Sequence, residues 1–260
     1  MKERFAISGS NGFLGKDLTR YLGKENVISM DRLPQRVEAD VYFDLASFGN
    51  LSHQTNYAEM YRANTWRVIN QLQAIEDLDY DAYVYVSSSS VTLPHQTYYS
   101  ASKKATEQFL EVYARETNKP VVVVRPYSIT GVGEQEQHLI PKLIHSCFTG
   151  EEIPFVGEPV HDFLDVEDFT RALLLISQNA KNYKGYVFPV GSGKMYTNEQ
   201  VLQLVEKATQ RKANIKRVES MRAYDTKEWM ADGTLMYSLG WQPTKTLEGS
   251  IKDMVSAYPL

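Results

Sequence analysis

Phe5-Ala6-Ile7-Ser8-Gly9-Ser10-Asn11-Gly12-Phe13-Leu14-Gly15 decides how this chain folds. A short apolar run passes through a glycine-rich turn into Phe13, Leu14, Leu18 and Leu22, which recur at helical spacing. Strand, glycine turn, helix is the context that a dinucleotide-binding turn requires. Glycine permits the tight turn and lets the backbone approach a pyrophosphate. The helix N-terminus adds unpaired N–H groups and a partial positive charge. Cofactor contacts are therefore expected from Gly9, Ser10, Asn11, Gly12, Phe13, Leu14 and Gly15. The spacing is Gly-x-x-Gly-x-x-Gly, not the Gly-x-Gly-x-x-Gly of the commonest dehydrogenases.

Working outward, Val27 to Met30 reads as a second strand that ends on Asp31. An acid there accepts hydrogen bonds from the adenosine ribose and repels a 2′-phosphate, which favours NAD. The neighbouring Arg32 can pair with that phosphate and keeps NADP open. Further strands are expected at Val41–Ala46, Tyr83–Val86 and Val121–Val124, with helices over Tyr57–Ile75 and Tyr98–Glu116. This alternation predicts an α/β, Rossmann-type doubly wound parallel sheet. After residue 126 the rhythm loosens: helices over Pro141–Phe148, Val166–Gln178 and Asn198–Thr209, and a strand over Tyr186–Val190. We expect a dinucleotide-binding domain over 1–150 and a smaller substrate-binding lobe over 151–260, interleaved with the first.

Composition narrows the partners. With 43% hydrophobic and 23% charged residues and a net charge of −4, nothing resembles the basic stripe of a nucleic-acid binder. The most basic stretch, Arg211 to Arg222, is interrupted and reads as a solvated face. No apolar run has the length of a membrane span and no signal segment is evident. Cys147 is the only cysteine, which predicts a reducing, cytoplasmic setting; its apolar helical neighbours mark it as a core thiol. Asp77–Asp81 lacks the glycine and glutamate of a calcium loop, and the histidines show no ligand spacing, so no metal is expected.

Tyr99 and Lys103 form a Tyr-x-x-x-Lys element on one helix face. In a chain with 17 tyrosines, chance accounts for one such pair, so position carries the weight. The pair opens the helix after Ser87–Ser90, at the carboxyl end of a strand, where parallel sheets present their ligands. A lysine ammonium beside a phenol favours phenolate. Tyr99 is thus expected to exchange a proton with an alcohol or carbonyl while hydride passes to or from a nicotinamide. A serine hydroxyl, assigned to Ser89, orients the same substrate oxygen.

With these motifs the sequence resembles the extended short-chain dehydrogenase/reductase family, in its nucleotide-sugar epimerase/dehydratase group. The resemblance spans nearly the whole chain. It adds Leu45-Ala46-Ser47 as a strand end beside the cofactor, Asn64-Thr65 as the asparagine-bearing helix segment, and Arg125-Pro126-Tyr127-Ser128-Ile129-Thr130-Gly131 as the loop beside the nicotinamide. Ile153–Gly157 and His161–Asp168 resemble its substrate-lobe signature, and Leu239–Pro243 with Leu247 its C-terminal segment. The resemblance implies an NAD(P)-dependent enzyme with cofactor contacts also from Leu45, Ala46, Ser47, Asn64, Ser87, Pro126 and Tyr127. Substrate contacts are implied for Ser89, Ser90, Ser128 and His161, and a homodimer through the Tyr57–Ile75 and Tyr98–Glu116 helices.

Three readings follow. The first is a nucleotide-sugar epimerase that oxidises a hydroxyl to a ketone and reduces it again. The second is a ketoreductase of a nucleotide sugar or a smaller carbonyl compound; the third is a non-catalytic dinucleotide sensor. The family's dehydratases carry an Asp-Glu pair after the serine position, where this chain has Ser90-Val91, which disfavours dehydration. The chain also departs from the family. Only nine residues separate Asp31 from Val41, and nine separate Ser89 from Tyr99. The usual third strand and helix, and a longer substrate loop, are therefore expected to be reduced. His161 stands where the family usually has arginine, and Ser128 where it often has asparagine.

Overall fold

The computed structural model describes residues 3–30, 33–51, 53–219 and 228–259. Asp31 and Arg32, the two residues on which the NAD preference rests, lie outside the described residues. The chain forms two compact units, one of Met1–Pro126 with Thr170–Pro189 and one of Tyr127–Phe169 with Val190–Leu260. The divide thus falls at Pro126 rather than at residue 150. The chain returns to the first unit because its last strand is needed at the edge of the first unit's sheet.

That sheet has six strands: β1 (Phe5–Ser8), β2 (Val27–Met30), β3 (Val41–Asp44), β4 (Ala82–Val86), β5 (Val121–Pro126) and, after the intervening lobe, β9 (Val187–Val190). Their spatial order is β2-β1-β3-β4-β5-β9. β1 pairs in parallel with β2 on one side and β3 on the other, with Ser8 opposite both Met30 and Asp44. Strand order therefore reverses at β1, and the carboxyl ends of β1 and β3 flank the crevice where doubly wound sheets bind ligands. The expected loss of a third strand is visible: residues 33–40 form neither strand nor helix before the chain enters β3. This short connection is bracketed by Gln71, whose side-chain amide accepts from Gln35 N at 2.9 Å and donates to Gln35 O at 2.7 Å.

Side-chain alternation explains the packing. Tyr83 and Tyr85 share one face of β4 with Val121 and Val123 of β5 and Tyr42 of β3. Against them pack Val68, Leu72 and Ile75 from α3 (Arg67–Ala74) and its end, and Leu110 and Ala114 from α4 (Tyr98–Thr117). Each fully buried aliphatic or aromatic side chain contributes roughly 1.5–3 kcal/mol. Two of the buried tyrosine hydroxyls find acceptors on the same face: Tyr85 donates to Asn64 O at 3.1 Å and Tyr83 to Asp44.

The second unit contains β6 (Ser128–Thr130), β7 (Ile153–Phe155), β8 (Val160–Asp165), β10 (Met195–Thr197) and β11 (Ile215–Arg217). They form a three-stranded sheet, β10-β8-β6, and a two-stranded one, β11-β7. Leu143, Val201 and Ile251, from α5 (Leu139–Thr149), α7 (Asn198–Thr209) and α9 (Leu247–Ser256), fill its core with Phe155. Among the described residues, no helix is long and apolar enough to cross a membrane.

Candidate active site

The glycine turn leads into α1 (Phe13–Leu22), whose N-terminal residue Gly12 makes no side-chain cap and whose first turn carries no acid. Those N–H groups are thus left for a ligand. Gly12 N donates to Gly9 O at 2.9 Å, which closes the turn. Gly9 has φ +72°, and a Cβ on it would lie 3.0 Å from Ala46 Cα and N. A Cβ on Gly15 would lie 2.1 Å from Gly9 O and 2.6 Å from Ser10 Cα. The first and third glycines therefore let the turn fold flat against β3's end and the helix. Ser10 Oγ meets Ser29 Oγ at 2.6 Å and ties the turn to β2. At the end of β4, Ser87 Oγ is buried with no hydrogen-bond partner. A bare helix N-terminus and a glycine cradle after β1, with an orphaned hydroxyl after β4 at the same end of the sheet, fit a dinucleotide.

α4 begins where the sequence predicts because Thr97 and Ser100 form a reciprocal cap, Ser100 N donating to Thr97 Oγ at 3.2 Å and Thr97 N to Ser100 Oγ at 2.8 Å. That cap puts Tyr99 in the first turn and the buried Lys103 one turn on. Lys103 Nζ donates to Val86 O at 2.8 Å and lies 4.8 Å from the centre of the Tyr85 ring. Burial lowers its pKa to about 7; Asp44 and Glu107 oppose this, and Arg67 adds to it.

The Tyr99 phenol differs from the expectation. Burial raises its pKa, and the groups that lower it are the hydroxyls of Ser88 and Ser47. The lysine is engaged with a strand carbonyl, and its own charge is weakened by burial; the two serine hydroxyls offset the burial of the phenol only in part. Ser88 faces Tyr99, whereas Ser89 is 2% exposed, and its carbonyl accepts Thr92 Oγ at 2.8 Å in a short 3-10 turn. Ser90 meets Ser88, Oγ to Oγ, at 2.8 Å. A run of four serines gives no period by which to choose among them. The shortened loop is closed by Gln96, whose side chain donates to Leu93 O at 2.5 Å.

Behind these groups lies a buried ion pair that the motifs do not reveal. Asp44 accepts hydrogen bonds from Ser8 Oγ at 2.8 Å, from Tyr83, and from both terminal nitrogens of Arg67. Burial pushes the Asp44 carboxyl up, and Arg67 with these hydrogen bonds more than reverses that, leaving it below the usual carboxylate range. The signal was an arginine spaced three from Asn64 and four from Gln71, on a helix face that is otherwise inward. Asn64 itself lies in a π-helical turn, Arg62–Trp66. The wider turn frees its carbonyl for Tyr85 and for Thr106 Oγ at 2.8 Å. Leu45 and Ala46 flank the glycine turn, and Pro126 ends β5.

The remaining candidates lie in the second unit. Tyr127 N donates to Val190 O at 3.0 Å. Ser128 pairs with Phe163 across β6 and β8. The His161 ring lies 5.5 Å from that of Trp229, which in turn lies 6.4 Å from that of Tyr127. Trp229 had no sequence signal.

The profile of the NAD dependent epimerase/dehydratase family matches residues 29–191. The dTDP-glucose 4,6-dehydratase of Salmonella typhimurium is 28% identical over 189 residues, covering 65% of this chain and 52% of that one. Matches of this kind take in about half the length of the curated relatives. The GDP-6-deoxy-D-mannose reductase of Pseudomonas aeruginosa aligns over 304 residues at 24% identity, covering 99% of this chain and 98% of that one. That alignment is longer than the chain, so the reductase carries segments absent here. Among solved structures, UDP-glucuronic acid 4-epimerase from Bacillus cereus, in complex with UDP-glucuronic acid and NAD, superposes with a TM-score of 0.87 at 17% identity, covering 97% and 98% of the two chains. Glycine turn, Tyr99/Lys103 helix, strand order and profile agree: the chain belongs to the NAD dependent epimerase/dehydratase family, within the extended short-chain dehydrogenases/reductases.

Proposed function

We propose that this protein is an NAD(P)-dependent enzyme of nucleotide sugars, with Tyr99 as acid/base, Ser88 as the hydroxyl that orients the reacting oxygen, and Lys103 as the cation behind them. The observation that carries the reading is the Ser88–Tyr99 pair at the carboxyl end of β4, beside the turn that Gly9 and Gly15 keep open. The turn would hold the pyrophosphate, with Leu45, Ala46, Ser47, Asn64 and Ser87 on the same side of the sheet. Bound there, a nicotinamide dinucleotide supplies the acceptor or donor of hydride. Tyr99 takes the proton of a sugar hydroxyl as that carbon is oxidised and returns it on reduction. Ser88 holds the oxygen in line, and Lys103, when protonated, would favour phenolate.

Epimerisation is the first reading, supported by the epimerase likeness in fold. The two residues after Ser88 are Ser89 and Ser90, so no acid pair is present for dehydration. A ketoreductase is the second reading. A phenol raised by burial holds its proton at neutral pH, which suits donation to a carbonyl, and the reductase relative aligns along the whole chain. Released nucleotide from heat-denatured, purified protein separates the two. Retained NAD supports the epimerase; an empty protein that oxidises added NADPH or NADH with a keto-sugar supports the reductase. Failure to bind either dinucleotide overturns both.

We also propose a homodimer through α2 (Tyr57–Tyr61), α3 and α4, because Tyr57 and Tyr61 are exposed on α2 and Tyr98 on α4. A cytoplasmic setting suits the single, buried Cys147 thiol.

A further inference from the structure

The glycine turn starts directly after Ser8, the last residue of β1, and rests on Ala46, just beyond the end of β3. A Cβ on Gly9 would lie 3.0 Å from Ala46 N and Cα and 3.2 Å from Leu45 C. Backbone meets backbone there with no side chain between. The place of the Ala46 backbone therefore sets how closely the turn can fold.

A closed ring of hydrogen bonds holds Ala46 on both sides. Ala46 N donates to Ser8 Oγ at 3.1 Å, and Ser8 Oγ donates to Asp44 Oδ1 at 2.8 Å. Asp44 accepts from both terminal nitrogens of Arg67, and Arg67 Nη2 also donates to Ala46 O at 3.3 Å, which closes the ring. Two further bonds steady its members: Arg67 Nε donates to Ala63 O at 3.2 Å, and the Tyr83 hydroxyl donates to Asp44 at 2.5 Å. Ser8, Asp44 and Arg67 are all buried.

For stability alone such a pair is a poor choice, because buried charges lose hydration and apolar side chains of similar volume do as well or better. What the charges add is direction: the planar fork of Arg67 meets a carboxylate and a backbone carbonyl at once. We propose that Ser8 and Arg67 are positioning residues for dinucleotide binding, which with Asp44 lock Ala46 against Gly9 before a ligand arrives. The proposal rests on reading the glycine turn as the dinucleotide site. A turn already in its binding shape leaves less ordering to be done on binding, and affinity rises accordingly. Phe48 is held independently of the ring. The Asn64 amide accepts from Phe48 N at 3.0 Å and donates to Phe48 O at 2.8 Å.

The test compares Ser8→Ala and Arg67→Lys with the wild type. Ser8→Ala removes one oxygen from the ring and leaves the ion pair whole; Arg67→Lys keeps the charge and loses the fork. Urea denaturation establishes that each variant is folded, and if Arg67→Lys is not, Ser8→Ala alone decides. Calorimetric titration with NAD and with NADPH is expected to show affinity about tenfold weaker, the loss of one hydrogen bond to a charged group. Amide hydrogen exchange is read without ligand. It is expected to be about tenfold faster at Gly12, whose N–H closes the turn onto Gly9 O, and within about twofold of wild type at Phe48. Wild-type affinity in the folded variants overturns the proposal, as does unaltered exchange at Gly12. Equal acceleration at Gly12 and Phe48 also overturns it, because that marks general loosening. A wild-type protein that binds neither dinucleotide counts against the dinucleotide reading of the turn, and the contrast between Gly12 and Phe48 then still decides whether the ring holds it.

Discussion

Ser88 and Tyr99 present their hydroxyls to one another, while Ser89, the next residue, is turned inward with 2% of its surface exposed. This pairing makes neighbouring serines separable by mutation. Ser88→Ala removes the hydroxyl that orients the reacting oxygen and should lower kcat by roughly 10²-fold, at the low end of acid–base effects. Ser89→Ala should leave kcat within about threefold, with any cost in stability instead. Steady-state kinetics on the identified substrate, with thermal melts of both variants, check this; an inactive, well-folded Ser89→Ala would return the role to Ser89.

Tyr99→Phe removes only the phenolic oxygen. Cofactor affinity, measured by fluorescence titration with NAD, should stay within about twofold, and turnover should fall by 10²-fold or more. A fully active Tyr99→Phe protein would remove the proposed acid/base.

Gly15 tolerates no side chain. A Cβ there would lie 2.1 Å from Gly9 O, a backbone atom, and neither partner can rotate away. Gly15→Ala should therefore destabilise the protein by about 1–3 kcal/mol and weaken dinucleotide binding by at least tenfold. Gly12→Ala meets only Gly9 O at 3.2 Å and should be milder on both counts. Urea denaturation and NAD titration of the two variants provide the comparison.

These positions also show how far the sequence could be read. The glycine turn, the Tyr99/Lys103 helix and the missing third strand depend on local spacing and chain length, and a single sequence carries both. The choice between Ser88 and Ser89 depends on where β4 stops and the 3-10 turn begins, which four identical residues do not encode. Asp44 and Arg67 stand 23 residues apart, so neither announces the other. Trp229 meets His161 from a distant part of the chain for the same reason.

The Asp44–Arg67 pair makes a stability prediction with a definite sign. Removing one partner strands a buried charge, so Arg67→Met should cost about 3–5 kcal/mol. Because the folded Asp44 carboxyl titrates below its ordinary value, its contribution is complete above the unfolded pKa of about 3.9. It is lost as pH falls through the lower folded value. Asp44→Asn should accordingly flatten the acid limb of the stability curve below about pH 4. A parallel acid limb in wild type and variant would contradict the assignment.

Lys103 acts in the opposite pH range. Its folded pKa is about 7, whereas in the unfolded chain a lysine titrates near 10.4. Between these values the unfolded state binds the extra proton, so stability rises with pH across that window, by an amount on the order of a few kcal/mol. Lys103→Met has no proton to bind in either state and should lose this slope. The measurement is urea denaturation of both proteins at intervals from pH 7 to 9. Equal slopes would mean that Lys103 stays charged in the folded protein. That charged lysine would then be available to Tyr99 without any help from cofactor or substrate.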